Sequence, residues 1–281
     1  MKVTRIGLKV HPDRDDSVIK ARQVIELLQQ SGIQVSIEGW VKQTLGSPLP
    51  TIEQTPVLDA MISLGGDGTF LRAAETAIER SIPLLGINMG RVGFLTEAEM
   101  TEAPKALLRL AKGEFSIEKR MLLDVRVNEG PPMLAVNDAV VNRGGYTRLI
   151  SIDAHVSNER IGRYIADGVI VATPTGSTGY SLSAGGPIIS PGVPCMVITP
   201  VCAHTLQHRP VVVQDQAIVN LQLRCDQSQG IVLTIDGRDA LSLSGSDRVR
   251  ITRAEKDLQL IRTKEQQFFG LVRNKLTEWS C

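Results

Sequence analysis

The apolar run Met61-Ile62-Ser63-Leu64 ends in Gly65-Gly66-Asp67-Gly68-Thr69, and a helical pattern of Phe70, Leu71, Ala73, Ala74, Ala77 and Ile78 begins at once. This order predicts a strand, a tight glycine turn and a helix. Glycines let a ligand approach the backbone closely, and a helix start downstream offers free N–H groups to an anion. A carboxylate on such a turn repels phosphate, so a bare phosphate cradle does not explain Asp67. It fits if Asp67 holds a cation or accepts a proton. The plainer reading is a strand-to-helix turn with a capping Asp, and the turn alone favours that reading.

The flanking segments extend the pattern. Val3 to Val10 reads as a strand, Asp15, Asp16 and Ser17 as N-cap candidates, and Val18, Ala21, Val24, Ile25 and Leu28 as a helix stopped by Gly32. Ile33, Val35 and Ile37 alternate as a second strand, and Trp40 to Pro56 reads as loop, broken by Gly46, Pro48 and Pro50. Pro83 to Asn88 is another buried strand, followed by the loop Met89-Gly90-Arg91-Val92-Gly93, and Ala103 to Ala111 forms a helix before Gly113. Alternating strands and helices imply a parallel sheet covered on both faces, with a ligand site beyond the carboxyl ends of its strands. Gly65–Thr69 lies at such an end.

Near Phe115 the pattern changes. Met121–Val127 alternates, and Met133–Val141, Leu149–Val156, Gly168–Ala172, Met196–Thr199, Pro210–Val213, Ala217–Leu223, Ile231–Ile235 and Val249–Thr252 read as short strands. Such spacing predicts an all-β unit. Lys264 to Trp279 is helical, with Phe268, Leu271, Val272 and Leu276 on one face. The expected divisions are 1–115, 116–258 and a C-terminal helical segment 259–281 packing back on the first.

Charge narrows the partners. The 281 residues carry 31 basic and 30 acidic side chains, a formal net charge of +1, which argues against an electrostatic nucleic-acid binder or a basic membrane-binding face. Four cysteines (Cys195, Cys202, Cys225, Cys281) form no C-x-x-C pair, so a reducing, cytoplasmic setting is expected and cysteine metal ligation is not. Gly168 to His208 contains no Asp, Glu, Lys or Arg. Pro, Gly, Ser and Thr interrupt it well short of the ~20 apolar residues of a membrane helix.

Three further constellations carry chemistry. Asn137-Asp138 interrupts the apolar strand Leu134–Val141. Two readings stand: a β-bulge or strand-end turn, or a buried pair that accepts from the two hydroxyls of a ribose. Asp167–Pro187 runs from a strand into a glycine- and hydroxyl-rich segment, where Thr175, Ser177, Thr178, Ser181 and Ser183 offer neutral hydrogen-bonding groups and Tyr180 a flat face for a base. That pocket suits a purine or an amide better than a bare phosphate. Pro200–Pro210 contains His204 and His208 but no further metal-ligand set, so a packed connector is expected. Ile235-Asp236-Gly237-Arg238 reads as a hairpin turn. The chain has no G-x-x-x-x-G-K-[ST], no G-x-G-x-x-G after its first strand and no G-x-S-x-G, which excludes a P-loop, a Rossmann-type dinucleotide grip and a hydrolase elbow.

Together, Gly65-Gly66-Asp67-Gly68-Thr69, Gly86–Gly90 with Gly93-Phe94-Leu95, Asn137-Asp138, Asp167–Pro187, Cys202–Leu206 and Arg209-Pro210 resemble the NAD kinase family across most of the chain. Departures are His11-Pro12-Asp13, where the family more often has Asn-Pro, and Ala203, where proline is common. The resemblance implies an α/β N-terminal domain (a Rossmann-like, phosphofructokinase-like parallel sheet), a β-rich β-sandwich C-terminal domain, and a cleft between them. It implies transfer of the γ-phosphate of ATP, or in some members polyphosphate, to the 2′-hydroxyl of NAD's adenosine ribose. It also implies a divalent metal, usually Mg2+, and homodimers or homotetramers.

On that resemblance Asp67 is the catalytic carboxylate, with magnesium binding as its second reading. Gly66, Gly68 and Arg72 meet phosphates. Asn137, Asp138, Asp167, Thr178, Gly179, Tyr180, Ser181, Leu182 and Ser183 hold NAD, and Arg148 meets its pyrophosphate. Two other classes share part of this pattern. A diacylglycerol-type lipid kinase shares the glycine turn but calls for an apolar entrance or basic membrane face, and the evenly mixed sequence has neither. A non-catalytic NAD(H) sensor has no need of Asp67.

Overall fold

In a computed structural model, the structure describes residues 2–14, 16–90, 93–144, 149–204, 208–224, 230–265 and 268–278. The chain divides into two compact units: Met1–Lys119 with Leu258–Cys281, and Arg120–Asp257.

The first unit alternates β1 (Arg5–Val10), α1 (Ser17–Gln30), β2 (Gln34–Ile37), α2 (Gly39–Leu45), β3 (Ala60–Gly65), α3 (Asp67–Glu79), β4 (Leu84–Asn88), β5 (Ala98–Glu99) and α4 (Ala103–Lys112). Strands β2-β1-β3-β4 lie side by side and all parallel. Ala60, Ile62 and Leu64 of β3 join a core with Ala21, Val24 and Leu28 of α1 and Leu107 and Leu110 of α4. The alternate residue Met61 is just as buried but lies outside that cluster, on the face where α3 packs. Phe70 of α3 is fully buried there, against Gly86, where a Cβ would strike its ring. Each fully buried Leu, Ile or Phe stabilises the unit by about 1.5–3 kcal/mol, so the two helical layers hold the sheet from both sides. From β1 the chain returns to β2 on one side; from β3 it passes to β4 on the other. The Gly65–Asp67 turn therefore sits at the switch point of a doubly wound sheet.

One segment departs from expectation. Gly39–Leu45, read as loop, is a helix ended by Gly46 in the left-handed region, φ 58°. It has one fully buried residue, Val41, and Pro48 and Pro50 dominate any window placed over it.

The second unit is a β-sandwich. Its strands are β6 (Ser116–Val127, which begins in the first unit), β7 (Met133–Ala135), β8 (Asp138–Arg143), β9 (Ile150–Val156), β10 (Glu159–Ala166), β11 (Gly168–Ala172), β12 (Cys195–Val201), β13 (Val211–Gln214), β14 (Val219–Leu223), β15 (Ile231–Ile235), β16 (Arg238–Leu243) and β17 (Arg248–Arg262). β10-β9-β14-β17 form one antiparallel layer and β13-β12-β11-β8-β15-β16 the other. Ile152, Ala154, Leu221 and Val249 of the first layer meet Val141, Val169, Val171 and Leu233 of the second in one core. The far face of the second layer is also buried: Val140, Ile170, Ala172 and Val197 pack with Ile189 and Ala184. This double burial explains why Gly168–Ala172 is apolar throughout.

The single strand expected over Met133–Val141 is broken into β7 and β8, with Val136 and Asn137 between them. A short helix α5 (Tyr180–Ser183) follows a 3-10 turn at Gly176–Thr178. The last helix, α6 (Phe268–Glu278), buries Val272 and belongs to the first unit; Phe269 is exposed.

Candidate active site

In the first unit Asp67 is the opening residue of α3, after Gly66 in extended conformation. The first intrahelical bond is Phe70 N–H to Gly66 C=O, so the amides of Asp67, Gly68 and Thr69 have no partner within the helix. The Asp67 side chain turns away from the helix and accepts from two loop amides, Phe94 N–H at 3.1 Å and Leu95 N–H at 3.3 Å. Gly93 presses against this carboxylate so closely that a Cβ there would overlap it. Burial pushes the Asp67 carboxyl up, and the Phe94 and Leu95 amides and the Lys275 charge on α6 partly offset that rise. The capping reading is incomplete, because the acid holds the Gly93–Leu95 loop rather than its own helix.

Arg72, expected on phosphate, pairs instead with Glu38, Nη2 to Oε1 at 2.8 Å. The other Glu38 oxygen accepts Val10 N–H at the end of β1. Arg72 is thus tied through Glu38 to the mouth of β1. No local signal marks Glu38, because its partner lies 34 positions along the chain.

In the second unit the structure joins two of the constellations. Ala172 pairs with Asp138 across β11 and β8. Thr173 donates its N–H to Asn137 C=O and its hydroxyl to Val136 C=O. A Cβ at Gly176 would strike the Asn137 backbone. The strand-end reading holds, since the ladder breaks there; of the pair, Asp138 is buried and Asn137 half-buried.

The cause of the break lies about a hundred residues away. Asp236, read only as a hairpin turn residue, does stand in the turn between β15 and β16, with φ 51°. It is buried, and its carboxylate accepts the N–H groups of Val136 (2.9 Å), Asn137 (2.6 Å) and Asp138 (3.1 Å). Among the described residues no group donates to the Asp138 carboxylate. Burial, then the nearby Asp236 charge, push Asp138 up to about 7. Burial raises Asp236 too, but three amides stabilise its anion.

The hydroxyl-rich segment is corrected in one respect. Its side chains largely bond inward. Ser177 Oγ donates to Pro174 C=O and accepts Ile189 N–H, Thr178 bonds Thr175 C=O, Ser181 bonds Thr199, and buried Arg120 donates to Thr175. A buried hydroxyl needs a partner, and here the loop supplies it. Ser181 is therefore scaffold, while Gly179, Tyr180 and Ser183 are exposed and Leu182 is half-buried. Burial raises the Tyr180 phenol, followed by neighbouring Cys202, Asp167 and Asp138, so these groups share one neighbourhood. Asp167 is half-buried and paired with Arg143 at 3.0 Å. Arg148 lies outside the described residues, as do Thr205–Gln207 of the histidine segment. His208 packs against Tyr164, ring centroids 4.6 Å apart and planes tilted by 47°.

A doubly wound sheet with an acidic glycine turn at its switch point, followed by a sandwich whose glycine- and hydroxyl-rich segment bonds to the break before a buried Asp138, fits a two-unit nucleotide kinase. The chain belongs to the ATP-NAD kinase family: residues 6–115 match the model of the ATP-NAD kinase N-terminal domain and residues 136–263 that of the C-terminal domain. An NAD kinase of Syntrophotalea carbinolica is 38% identical over 279 residues, covering 97% of this chain and 98% of that protein. One from Moorella thermoacetica is 39% identical, covering 98% and 89%. Among solved structures, yeast NADH kinase with NADH superposes with a TM-score of 0.87, 24% identity and coverage of 99% of this chain and 88% of that one. An NAD kinase from Archaeoglobus fulgidus with ATP gives 0.76, 24%, 99% and 99%. These two show the shared fold. Neither the lipid-kinase nor the sensor reading finds support in these matches.

Proposed function

We propose that the chain transfers the γ-phosphate of ATP to the 2′-hydroxyl of the adenosine ribose of NAD, giving NADP, ADP and a proton. The observation that carries this reading is Asp67: a half-buried carboxylate beside amides that have no partner within their helix, at a sheet switch point, in a chain that matches both halves of the family. Phosphoryl transfer asks mainly for alignment and charge neutralisation, with a carboxylate to orient the attacking hydroxyl and take its proton late. Asp67 has that role. The amides of Gly68 and Thr69 and the glycines of the turn receive phosphate oxygens. Asn137 and Asp138 accept from ribose hydroxyls, Tyr180 offers its ring to the adenine, and Asp167, Thr178, Gly179, Leu182 and Ser183 complete the NAD side.

Among the described residues no group of three or more His, Cys, Asp or Glu could hold a metal ion by itself. Mg2+ is therefore read as arriving on the phosphates of ATP, with Asp67 the one carboxylate of the turn; its hard oxygens suit that ion. When bound, it neutralises the phosphate oxygens. The reading extends to a cytoplasmic homodimer or homotetramer.

The test is to incubate the purified protein with NAD, Mg2+ and either ATP or polyphosphate, and to measure NADP. Product with ATP supports the assignment, and product with polyphosphate widens the donor range. No NADP from either donor overturns it.

A further inference from the structure

The two amides on Asp67 are only as well placed as the loop that carries them. That loop is fixed at both ends. Gly93 N–H donates to the hydroxyl of fully buried Thr96 at 2.9 Å, and Glu97 N–H donates to Gly86 C=O at 2.8 Å. Glu97 itself is 1% exposed. One of its oxygens accepts Thr263 N–H (2.7 Å), Thr263 Oγ1 (3.0 Å) and Lys264 N–H (3.0 Å); the other accepts Arg262 Nη1 at 3.2 Å. Arg262, 6% exposed, also reaches Glu118 through Nε at 2.5 Å.

A buried ion pair is weak evidence for stability, since an apolar pair often does as well. Four donors converging on one buried carboxylate do specify a position. They join the segment just past the end of β17 to the loop that follows β4, at the residue two beyond Leu95.

We propose that Glu97 is a positioning residue: held by Arg262, Thr263 and Lys264, it fixes the Gly93–Leu95 loop so that the Phe94 and Leu95 amides stay on Asp67. The C-terminal segment thereby acts on the reaction without touching substrate. This rests on the reading of Asp67 as the catalytic carboxylate.

The experiment uses the full chain with Glu97→Gln, which keeps shape and one acceptor but loses the charge, and Thr263→Val, which deletes one donor of the four. Peptide-level hydrogen exchange is followed over residues 93–97, and kcat and KM for NAD are measured. Glu97→Gln is expected to speed exchange in 93–97 about tenfold and lower kcat about tenfold, with KM for NAD and exchange in the second unit unchanged. Thr263→Val should move both in the same direction by less, and it carries the comparison if Glu97→Gln fails to fold. A merely structural role would shift melting and the active fraction without this local signature. Unmoved exchange over 93–97, or faster exchange with wild-type kcat, overturns the proposal. An Asp67→Asn control separates the two claims: wild-type kcat there refutes the reading of Asp67, whereas the exchange data test the hold of Glu97 on the loop.

Discussion

Asp138→Asn should make the protein more stable at neutral pH and a poorer binder of NAD. Asp138 is 5% exposed, no described residue donates to its carboxylate, and the Asp236 carboxylate lies close. Its folded value of about 7 stands above the ordinary 3.8, so the fold prefers the protonated form. The sign follows. Below about pH 4 the group is protonated folded and unfolded and costs nothing; as pH rises toward 7 the unfolded chain ionises freely while the fold resists. Stability falls through that window and levels off above it. Roughly three pH units at 1.36 kcal/mol each give a plateau cost of about 4 kcal/mol, an upper figure because the neighbouring acid relaxes too. Asparagine is nearly isosteric and does not titrate. The gap between variant and wild type should therefore grow from pH 4.5 to 7 and stay constant to pH 8.5. Pulsed hydrogen exchange on β8 and β11 peptides along a urea gradient reads this locally. KM for NAD should rise, because one amide oxygen and an NH2 donor replace the two acceptor oxygens proposed to face the ribose hydroxyls, while kcat changes less. A pH-independent gap would refute the buried-acid argument; lost kcat with unchanged KM would refute the binding role.

Asp67→Asn should keep the fold and NAD binding but lose turnover by orders of magnitude in a coupled NADP assay; near-normal kcat would sink the assignment. Gly93→Ala places a Cβ where the Asp67 carboxylate stands. It should lower kcat on the order of a hundredfold through misplacement of that acid, checked by steady-state kinetics at saturating NAD. Asp153→Asn should leave kcat unchanged and cost about 1–2 kcal/mol. It removes the shared partner of Arg160, Arg163 and Arg224, but all three arginines are about half exposed and water recovers part of the loss. Those guanidiniums, Arg163 first, hold the Asp153 carboxyl below its usual range. Its contribution is thus present above about pH 4 and lost as pH falls through the lower folded value, so melts of wild type and variant should converge in acid.

What the sequence disclosed follows from how local each cause is. The β3–turn–α3 unit is legible because apolar run, glycines and helical period adjoin. Strand Ile231–Ile235 is legible because alternation and a following Asp-Gly bound it. The break at Val136-Asn137 is not, because the ladder is opened by Asp236, 98 residues from Asp138. Strand Glu159–Ala166 escapes because a register shift between Arg160 and Gly162 disrupts its alternation. The hydroxyls of Thr173–Ser181 were legible as a cluster but not in direction. Residue type tells that a hydroxyl needs a partner, not whether the partner is ligand or loop. Glu38 on Arg72 and Arg262 on Glu97 are hidden by the same distance in chain, 34 and 165 residues.

The two candidate carboxylates show how burial alone would mislead. Burial raises both Asp67 and Asp138, and an acid near neutrality invites assignment as the general base. By that criterion Asp138 would be chosen. Support argues the other way. Asp67 has two amides and a favourable lysine charge, which draw it back toward the ionised form that its proposed role requires. Asp138 has a second carboxylate for company and no described donor. It is poised between accepting and donating, which suits a group that grips ribose hydroxyls and is itself relieved when they arrive. Environment sets different tasks for the same side chain, and here the hydrogen-bond donors, more than the depth of burial, separate the two.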